Sequence, residues 1–482
     1  MSAPPLRVLT LNVWGLYLFS KRKNERLAAI IARLERAADA YDVVALQELW
    51  CESSDWRELR ARTRATWRWG KFFYSGAFGS GLAILSRHPI LRTRTEPYLL
   101  CGLPIHVHHG DWIVAKAAGC ATIALPQGDE VDVWVTHTVA AGGEDGPESN
   151  RAHRVAQAYE LACHVRDSAE RGRHVICLGD LNSTPPSLAL ALLRDIGGLS
   201  DSFLDTHPSL PPHATSLPGT ANPERSIVEL GVTCDSPLNT WTAGKPLDPR
   251  ARAGLGKRLD YILYRGPVRE GKLQLRPRSS RVSWTEVDES LGCSLSDHFG
   301  VETTFELVPS AAVTAHSTHV AQTLTSALAA LGGALLDSRR TQTTHGVGFL
   351  GALAGALFAL MILTAGHAPG ILRFLLALFI IVAAWAGTTL FYSAVIWGEW
   401  EKRECPRTSH AVLRLMTLPT GALRTVLDAM ALDLEQTRGR IAAPRPAVLA
   451  ELTDAQPAEQ QPHEDEEGRP SVEDTHEQQR LI

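Results

Sequence analysis

The chain lacks a surplus of charge, a CxxC pair and a leader-like opening, and each absence removes a class of protein. With 48 Lys+Arg against 52 Asp+Glu, the formal net charge is only −4, so no overall field recruits nucleic acid. The 8 cysteines (Cys51, Cys101, Cys120, Cys163, Cys177, Cys234, Cys293, Cys405) are scattered without CxxC spacing. They read as buried free thiols of a reducing compartment rather than zinc ligands or a disulfide frame. No signal peptide is read: the apolar residues 8–18 are interrupted by Asn12 and followed by Lys21, Arg22 and Lys23, so a first β-strand accounts for them. At 482 residues the chain is too long for one ordinary domain, though not for one large sandwich with appendages.

Residues 6–307 alternate strand-like runs with helical patterns. RVLTLNVW, DVVALQEL, GLAILSR, IVAKAAGCATIAL, EVDVWVTHTV, RHVICLGDL, LDYILYR and VETTFEL have the composition and length of strands. Residues 24–41 and 151–169 read as helices between them. The spacing predicts an α/β fold of two mixed sheets packed face to face, with helices outside. Residues 200–256, rich in Pro, Gly, Thr and Asn, predict a long ordered excursion near a site.

Long apolar runs appear only later. Residues 346–366 and 371–397 are each long enough to cross a bilayer core, and HAPG between them forces a hairpin. Arg339 and Arg340 before it, and Lys402, Arg403 and Arg407 after it, place both ends in the cytosol. Gly351 and Gly355 have the spacing that brings two helices close, and Arg373 lies near a helix end, where it can snorkel. Residues 312–336 and 409–434 are amphipathic, suited either to the membrane interface or to the globular domain. The expected organisation is a catalytic domain over 1–307, a linker over 308–345, two spans within 346–398, a helical segment over 399–442 and a disordered acidic tail over 443–482.

Six short islands of acid, amide and imidazole residues end the strand-like runs: Asn12 in LNVWG, Glu48 in QELW, His137 in VTHT, Asp180 and Asn182 in GDLN, Asp260 in RLDY, and Asp297 and His298 in SDH. Singly each is weak, since a lone strand-end Glu is usually solvated and a lone Asn usually forms a turn. Jointly, in this order, they point to a metal phosphodiesterase site. Hard oxygens hold a divalent cation, amides and imidazoles meet phosphoryl oxygens, and one imidazole activates water.

That order resembles the endonuclease/exonuclease/phosphatase superfamily. LTLNVWGL, QELW and RAHRVAQAYEL are similar to neutral sphingomyelinases, and GVTCDSPLNTW with the hairpin is nearest to fungal inositol phosphosphingolipid phospholipase C. The resemblance implies a four-layered α/β sandwich, Mg²⁺ dependence, and release of a phosphorylated headgroup from ceramide. It implies Glu48, Asn12 and Asp297 around Mg²⁺, with Asp180 and Asn182 across the scissile phosphate. His137 would donate to the phosphoryl charge, and Asp260 would orient His298. Either His298 or Asp180 serves as base, and His298 is favoured because its ordinary pKa lies near working pH.

Lys245, Lys257 and Arg258 are the candidates to meet an anionic headgroup, while His153 and Arg154 are expected to pack structurally. The loop after His137, TVAAGGEDGPESNR, departs from the usual sphingomyelinase pattern, which leaves phosphoinositol and phosphocholine both open. The implied partners are a membrane sphingolipid and activating anionic lipids such as phosphatidylserine, with no nucleic acid. The implied location is an endoplasmic reticulum or mitochondrial membrane. A nuclease would need a basic face, and an inositol-polyphosphate 5-phosphatase a cysteine-bearing island where GKRLDYIL stands. An inactive adaptor would show erosion at one of the eight residues. None of the three fits.

Overall fold

The computed structural model describes residues 4–416, apart from 18–19, 77–78, 105–109, 141–147, 219–221, 269–272, 310–318 and 367–368. The strands are β1 (Leu6–Asn12), β2 (Val43–Gln47), β3 (Trp69–Phe73), β4 (Leu82–Ser86), β5 (Ile90–Pro97), β6 (Ala117–Ala124), β7 (Glu130–His137), β8 (His174–Asp180), β9 (Ser200–Asp201), β10 (Asp260–Arg265), β11 (Leu273–Ser283), β12 (Val287–Asp288), β13 (Cys293–Ser294) and β14 (Gly300–Pro309). The helices are α1 (Lys23–Arg36), α2 (Arg57–Thr63), α3 (Asp111–Val114), α4 (Glu148–Glu170), α5 (Leu188–Asp195), α6 (Ser202–Thr206), α7 (Pro223–Arg225), α8 (Pro249–Gly254), α9 (Val320–Thr364), α10 (Gly370–Phe391) and α11 (Gly398–Met416).

Two six-stranded sheets form, in the orders β11-β14-β1-β2-β4-β3 and β5-β6-β7-β8-β10-β9. Alternation along each strand decides which residues face inward. Leu6, Val8, Ala45 and Ile84 of the first sheet meet Ala121, Val133, Ile176 and Ile262 of the second in one buried core. Leu9, Leu11, Val44 and Leu46 point the other way, onto Leu27, Ile30, Ile31 and Leu34 of α1. Burying each of the Leu, Ile and Val side chains among these is worth about 1.5–3 kcal/mol. The expected fold class, two packed mixed sheets flanked by helices, is what the chain adopts.

The register carries the function. β1 lies parallel to β2 with Asn12 opposite Gln47, and β7 lies parallel to β8 with His137 opposite Asp180. β10 runs antiparallel to β8 with Asp260 opposite Asp180. The functional ends of five strands therefore share one edge of the sandwich. One expected strand begins later than its sequence run: Ile113 and Val114 belong to the turn-like α3, and β6 starts at Ala117.

Beyond the sandwich, α9 is one unbroken helix of 45 residues. Leu324, Leu328, Leu331 and Leu335 form a helical stripe that is buried, and the helix packs on α4 and α5. Of the two placements open to the 312–336 segment, the described part packs on the globular domain. Farther along, Val347, Leu350, Leu357, Phe358 and Met361 are exposed. α10 returns beside α9, and a π-helical turn (Tyr392–Trp397) leads into α11. α9 and the stretch from α10 into α11 are each long and apolar enough to cross a membrane. Their close approach uses Gly355 against Phe379 and Gly387 against Ala352, whereas Gly351 faces open space. α11 docks back on the sandwich: Glu401 meets His153 at 3.1 Å, and the Trp400 indole donates to the Leu99 carbonyl at 3.1 Å. The 409–434 segment is described only to Met416, and the expected acidic tail lies outside the described residues.

Candidate active site

Glu48 has φ 60° and Asn182 φ 43°, left-handed values that non-glycine residues adopt when the surroundings over-determine them. Gly179 has φ 132°, and a Cβ there would lie 2.0 Å from the Thr136 carbonyl oxygen. Glycine alone lets β8 pass β7 this closely just before Asp180.

The eight expected residues come together. Asn12 Nδ2 donates to Glu48 Oε1 at 3.1 Å and to Asp180 Oδ2 at 3.0 Å, so one amide bridges two carboxylates from different sheets. Asp180 Oδ1 accepts the Asn182 backbone N–H at 2.9 Å, and Asn182 Nδ2 donates to the Thr138 carbonyl at 3.1 Å. His298 Nδ1 lies 2.8 Å from Asp260 Oδ2, and its Nε2 lies 3.8 Å from Asp180 Oδ2. His137 Nε2 is 3.5 Å from the same Asp180 oxygen. The Ser296 hydroxyl donates to the Asn12 carbonyl at 2.6 Å and lies 3.3 Å from Asp297 Oδ1, tying the SDH loop to the end of β1.

Burial and like charge set the electrostatics. Burial, reinforced by Asp297, holds the Glu48 carboxyl above its usual range, and Asp297 is raised by burial and by Asp180. Asp180 is pushed up to about 6, chiefly by burial. Burial and then Lys116 push His137 well below the usual imidazole range. Burial opposes charge on His298, but Cys234, Asp260 and Asp180 outweigh it and lift the imidazole well above that range.

The donor set fits a divalent cation. Asp180, Asp260 and His298 offer ligand atoms that all lie within 4.8 Å of one another, and Asp260 Oδ1 is buried with no hydrogen-bond partner. Beside them the buried Glu48 carboxyl is raised by Asp297 and Asp297 by Asp180, so mutually repelling hard oxygens continue from Asp180 to Asp297 and Glu48. Asp260 and His298 are paired with each other at 2.8 Å. The carboxylates of Glu48, Asp297 and Asp180 are the set such an ion satisfies.

The three basic candidates stand apart from this cluster. Lys245 is exposed. The Lys257 ammonium sits between Asp235 and Asp248, at 2.7 Å from each. Arg258 is buried, 2.6 Å from Asp201 and stacked on Phe203 and Tyr261. Lys257 and Arg258 line a cavity of about 240 Å³ with Thr184, Leu230 and Val232. His153 and Arg154 are both fully buried, as expected.

Two residues were not anticipated. Lys116 is buried, 2.8 Å from His137 Nε2 and 3.5 Å from Asp111. Its signal was a lone charge inside the apolar run IVAKAAGCATIAL. Cys234 pairs through its backbone with both Lys257 and His298, so the 200–256 excursion does reach the site.

Residues 9–298 match the Endonuclease/Exonuclease/phosphatase family. The chain belongs to this family. Among curated relatives, inositol phosphosphingolipids phospholipase C of Schizosaccharomyces pombe is 34% identical over 312 residues, covering 63% of this chain and 69% of the relative. The protein of that name from Saccharomyces cerevisiae is 32% identical over 336 residues, covering 65% and 67%. Sphingomyelin phosphodiesterase 2 of Homo sapiens is 31% identical over 299 residues, covering 61% and 62%. The family match stops before α9, so the long helices lie outside it.

Proposed function

We propose that this chain is a Mg²⁺-dependent phospholipase C-type hydrolase that cleaves a ceramide-based sphingolipid, releasing phosphoinositol or phosphocholine. The names of its relatives support the substrate class, and phosphoric diester hydrolysis is the activity those names share. The observation that carries the reading is the position of the site. Trp112 of α3, next to the Lys116–His137 contact, packs edge-on against Tyr392 and Trp397, where α10 emerges from its apolar stretch. Tyr and Trp favour the membrane–water boundary. This contact supports a catalytic edge held at a bilayer surface, and the basic flanks of the two long helices support a cytosolic side for the sandwich.

Glu48, Asp297 and Asn12, with Asp180 near by, would hold the cation. When bound, Mg²⁺ polarises a phosphoryl oxygen and offsets the carboxylate field that keeps His298 protonated. Asp260 fixes the His298 ring through Nδ1, leaving Nε2 to take a proton from the attacking water. Lys116, His137 and Asn182, gathered around Asp180, would meet charge on the phosphoryl oxygens. The water oxygen would bond to phosphorus as the P–O bond to the ceramide oxygen breaks. The proton taken up at His298 Nε2 would pass to that leaving oxygen, and ceramide stays in the membrane.

The test uses the full chain in mixed micelles with inositol phosphorylceramide, sphingomyelin or an abasic DNA duplex, with Mg²⁺ or EDTA. Mg²⁺-dependent release of ceramide from at least one sphingolipid is expected, with phosphatidylserine tested as activator. Cleavage of DNA and of neither lipid would overturn the proposal.

A further inference from the structure

Arg26, on α1, takes part in none of the chemistry above, yet it lies beneath the site as a buried cation. Its side chain donates to four main-chain carbonyls: Lys21 at 2.9 Å, Val13 at 3.0 Å, Leu295 at 2.8 Å and Trp14 at 2.7 Å. Among the described residues it forms no ion pair with a carboxylate. Its guanidinium packs over the rings of Trp14 and Trp241, at 4.5 and 5.7 Å, and those rings lie 5.1 Å apart.

Three of the four carbonyls belong to segments that carry the site. Val13 and Trp14 follow Asn12 directly, and Leu295 precedes Asp297 and His298. Trp14 is itself in a left-handed conformation, φ 49°, and its N–H donates to Asn12 Oδ1 at 2.9 Å. That bond orients the Asn12 amide, whose Nδ2 bridges Glu48 and Asp180. At the next residue, a Cβ on Gly15 would lie 2.3 Å from the Glu48 carbonyl oxygen, so this loop is wedged against the Glu48 backbone as well. Trp241 brings in the excursion that bears Cys234. A charged donor aimed at carbonyls is a strong hydrogen bond, and a guanidinium offers enough donors in one rigid plane to hold all these segments at once.

We propose that Arg26 is a positioning residue of the active site, a buried clamp that sets Asn12, Glu48 and Asp297 in the arrangement needed to bind the cation. The inference rests on the functional reading above for the identity of the cation ligands and for its catalytic readout, and the Mg²⁺ comparison is made without substrate.

The test compares the wild-type chain with Arg26→Lys and Arg26→Met in detergent. Melting temperature, Mg²⁺ binding by calorimetry without substrate, and kcat and KM on dispersed sphingolipid are measured for each. Arg26→Lys keeps the charge but loses the planar fork. It is expected to weaken Mg²⁺ binding by about 10-fold and to lower kcat by about 10–100-fold with KM nearly unchanged, because misplacement of about 1 Å has effects of that size. Arg26→Met also removes a positive charge that acts on Glu48 and Asp297, so it is expected to lower kcat further, and the Mg²⁺ comparison is read from the charge-conserving Arg26→Lys. Trp241→Leu keeps Arg26 but removes one stacked ring together with the indole N–H bond to the Ser294 carbonyl at 2.8 Å, and is expected to move both readouts in the same direction by a smaller amount. Wild-type Mg²⁺ affinity in folded Arg26→Lys would overturn the proposal, even if its melting temperature fell. If Arg26→Lys does not fold, wild-type Mg²⁺ affinity in Trp241→Leu overturns it instead. Absence of sphingolipid cleavage by the wild type would sink the functional proposal and leave the metal comparison to decide this one.

Discussion

Asp260→Asn separates the role of carboxylate charge from that of ring orientation at His298. The native contact is 2.8 Å, between a buried carboxylate oxygen and Nδ1. Replacing a charge-assisted hydrogen bond by a neutral one loses about 1–2 kcal/mol. At 1.4 kcal/mol per decade that lowers kcat by about 5–30-fold, provided the amide oxygen faces the ring. The second carboxylate oxygen, Oδ1, has no partner, so nothing holds the new amide in that orientation. With its NH₂ toward Nδ1 the amide selects the wrong tautomer, and the loss grows toward about 10⁴-fold.

The pH profile supplies an independent sign. Asp260 is one of the groups raising the pKa of His298, so removing its charge lowers that pKa. A base works when deprotonated, so the acid limb of kcat against pH moves to lower pH in the variant. The assay is ceramide release from mixed micelles across pH 5–9, paired with thermal melts to confirm folding. An acid limb that stays put or moves up, or a kcat within twofold of wild type, would refute the dyad.

Ending the chain after Arg340 keeps the leucine stripe on α4 and α5 and removes the hairpin. Turnover of dispersed substrate is expected within several-fold of the full chain, while turnover on vesicles falls at least 10-fold; equal vesicle rates would contradict membrane tethering. Glu48→Gln removes a buried carboxylate whose pKa is raised by burial and by Asp297. Turnover should fall below about 1%, yet the metal-free variant should melt higher than wild type above neutral pH. That gap should close as pH drops, because the wild-type carboxyl then takes up its proton. Glu160, on α4 near Glu404 and Arg407 of α11, is raised by burial from 4.5 to about 7. The folded chain therefore binds the proton more tightly than the unfolded one, and stability falls as pH rises through this range, by about 3 kcal/mol in all. Glu160→Gln should flatten that part of the curve, as followed by melts between pH 4 and 8.

The sequence showed the central strands because β1, β2, β7, β8 and β10 are covered on almost every position of both faces and are therefore rich in Val, Ile and Leu. It concealed β3, β5 and β11 for the opposite reason. Each is a sheet edge or lies half in solvent, and β5 and β11 carry Arg, Thr and Ser where an interior strand carries Val or Ile. Pro277 also breaks the β11 register, as proline does in sheet edges. The eight site residues were legible because each stands at one end of an apolar run: Asn12, Glu48, His137, Asp180 and Asn182 close or follow one, and Asp260, Asp297 and His298 open or precede one. Lys116 and Arg26 were not, since a lysine or arginine is read as solvated until tertiary packing surrounds it. The glycine pair at 351 and 355 marked the contact between the long helices only in part. Helix rotation turned Gly351 outward and brought Gly348, Gly355 and Gly387 to the contact instead.

At 1.5 Å per residue, α9 spans about 65–70 Å, with its first half fixed to the sandwich and its second half among the exposed apolar side chains. The helix is continuous between the two halves, so with the second half in a bilayer, as proposed, the sandwich would have little freedom to swivel or lift. An enzyme on a loose leash samples every lipid its leash can reach. One mounted on a rigid post works a narrow ring of membrane, and its throughput then depends on how fast lipids drift through that ring.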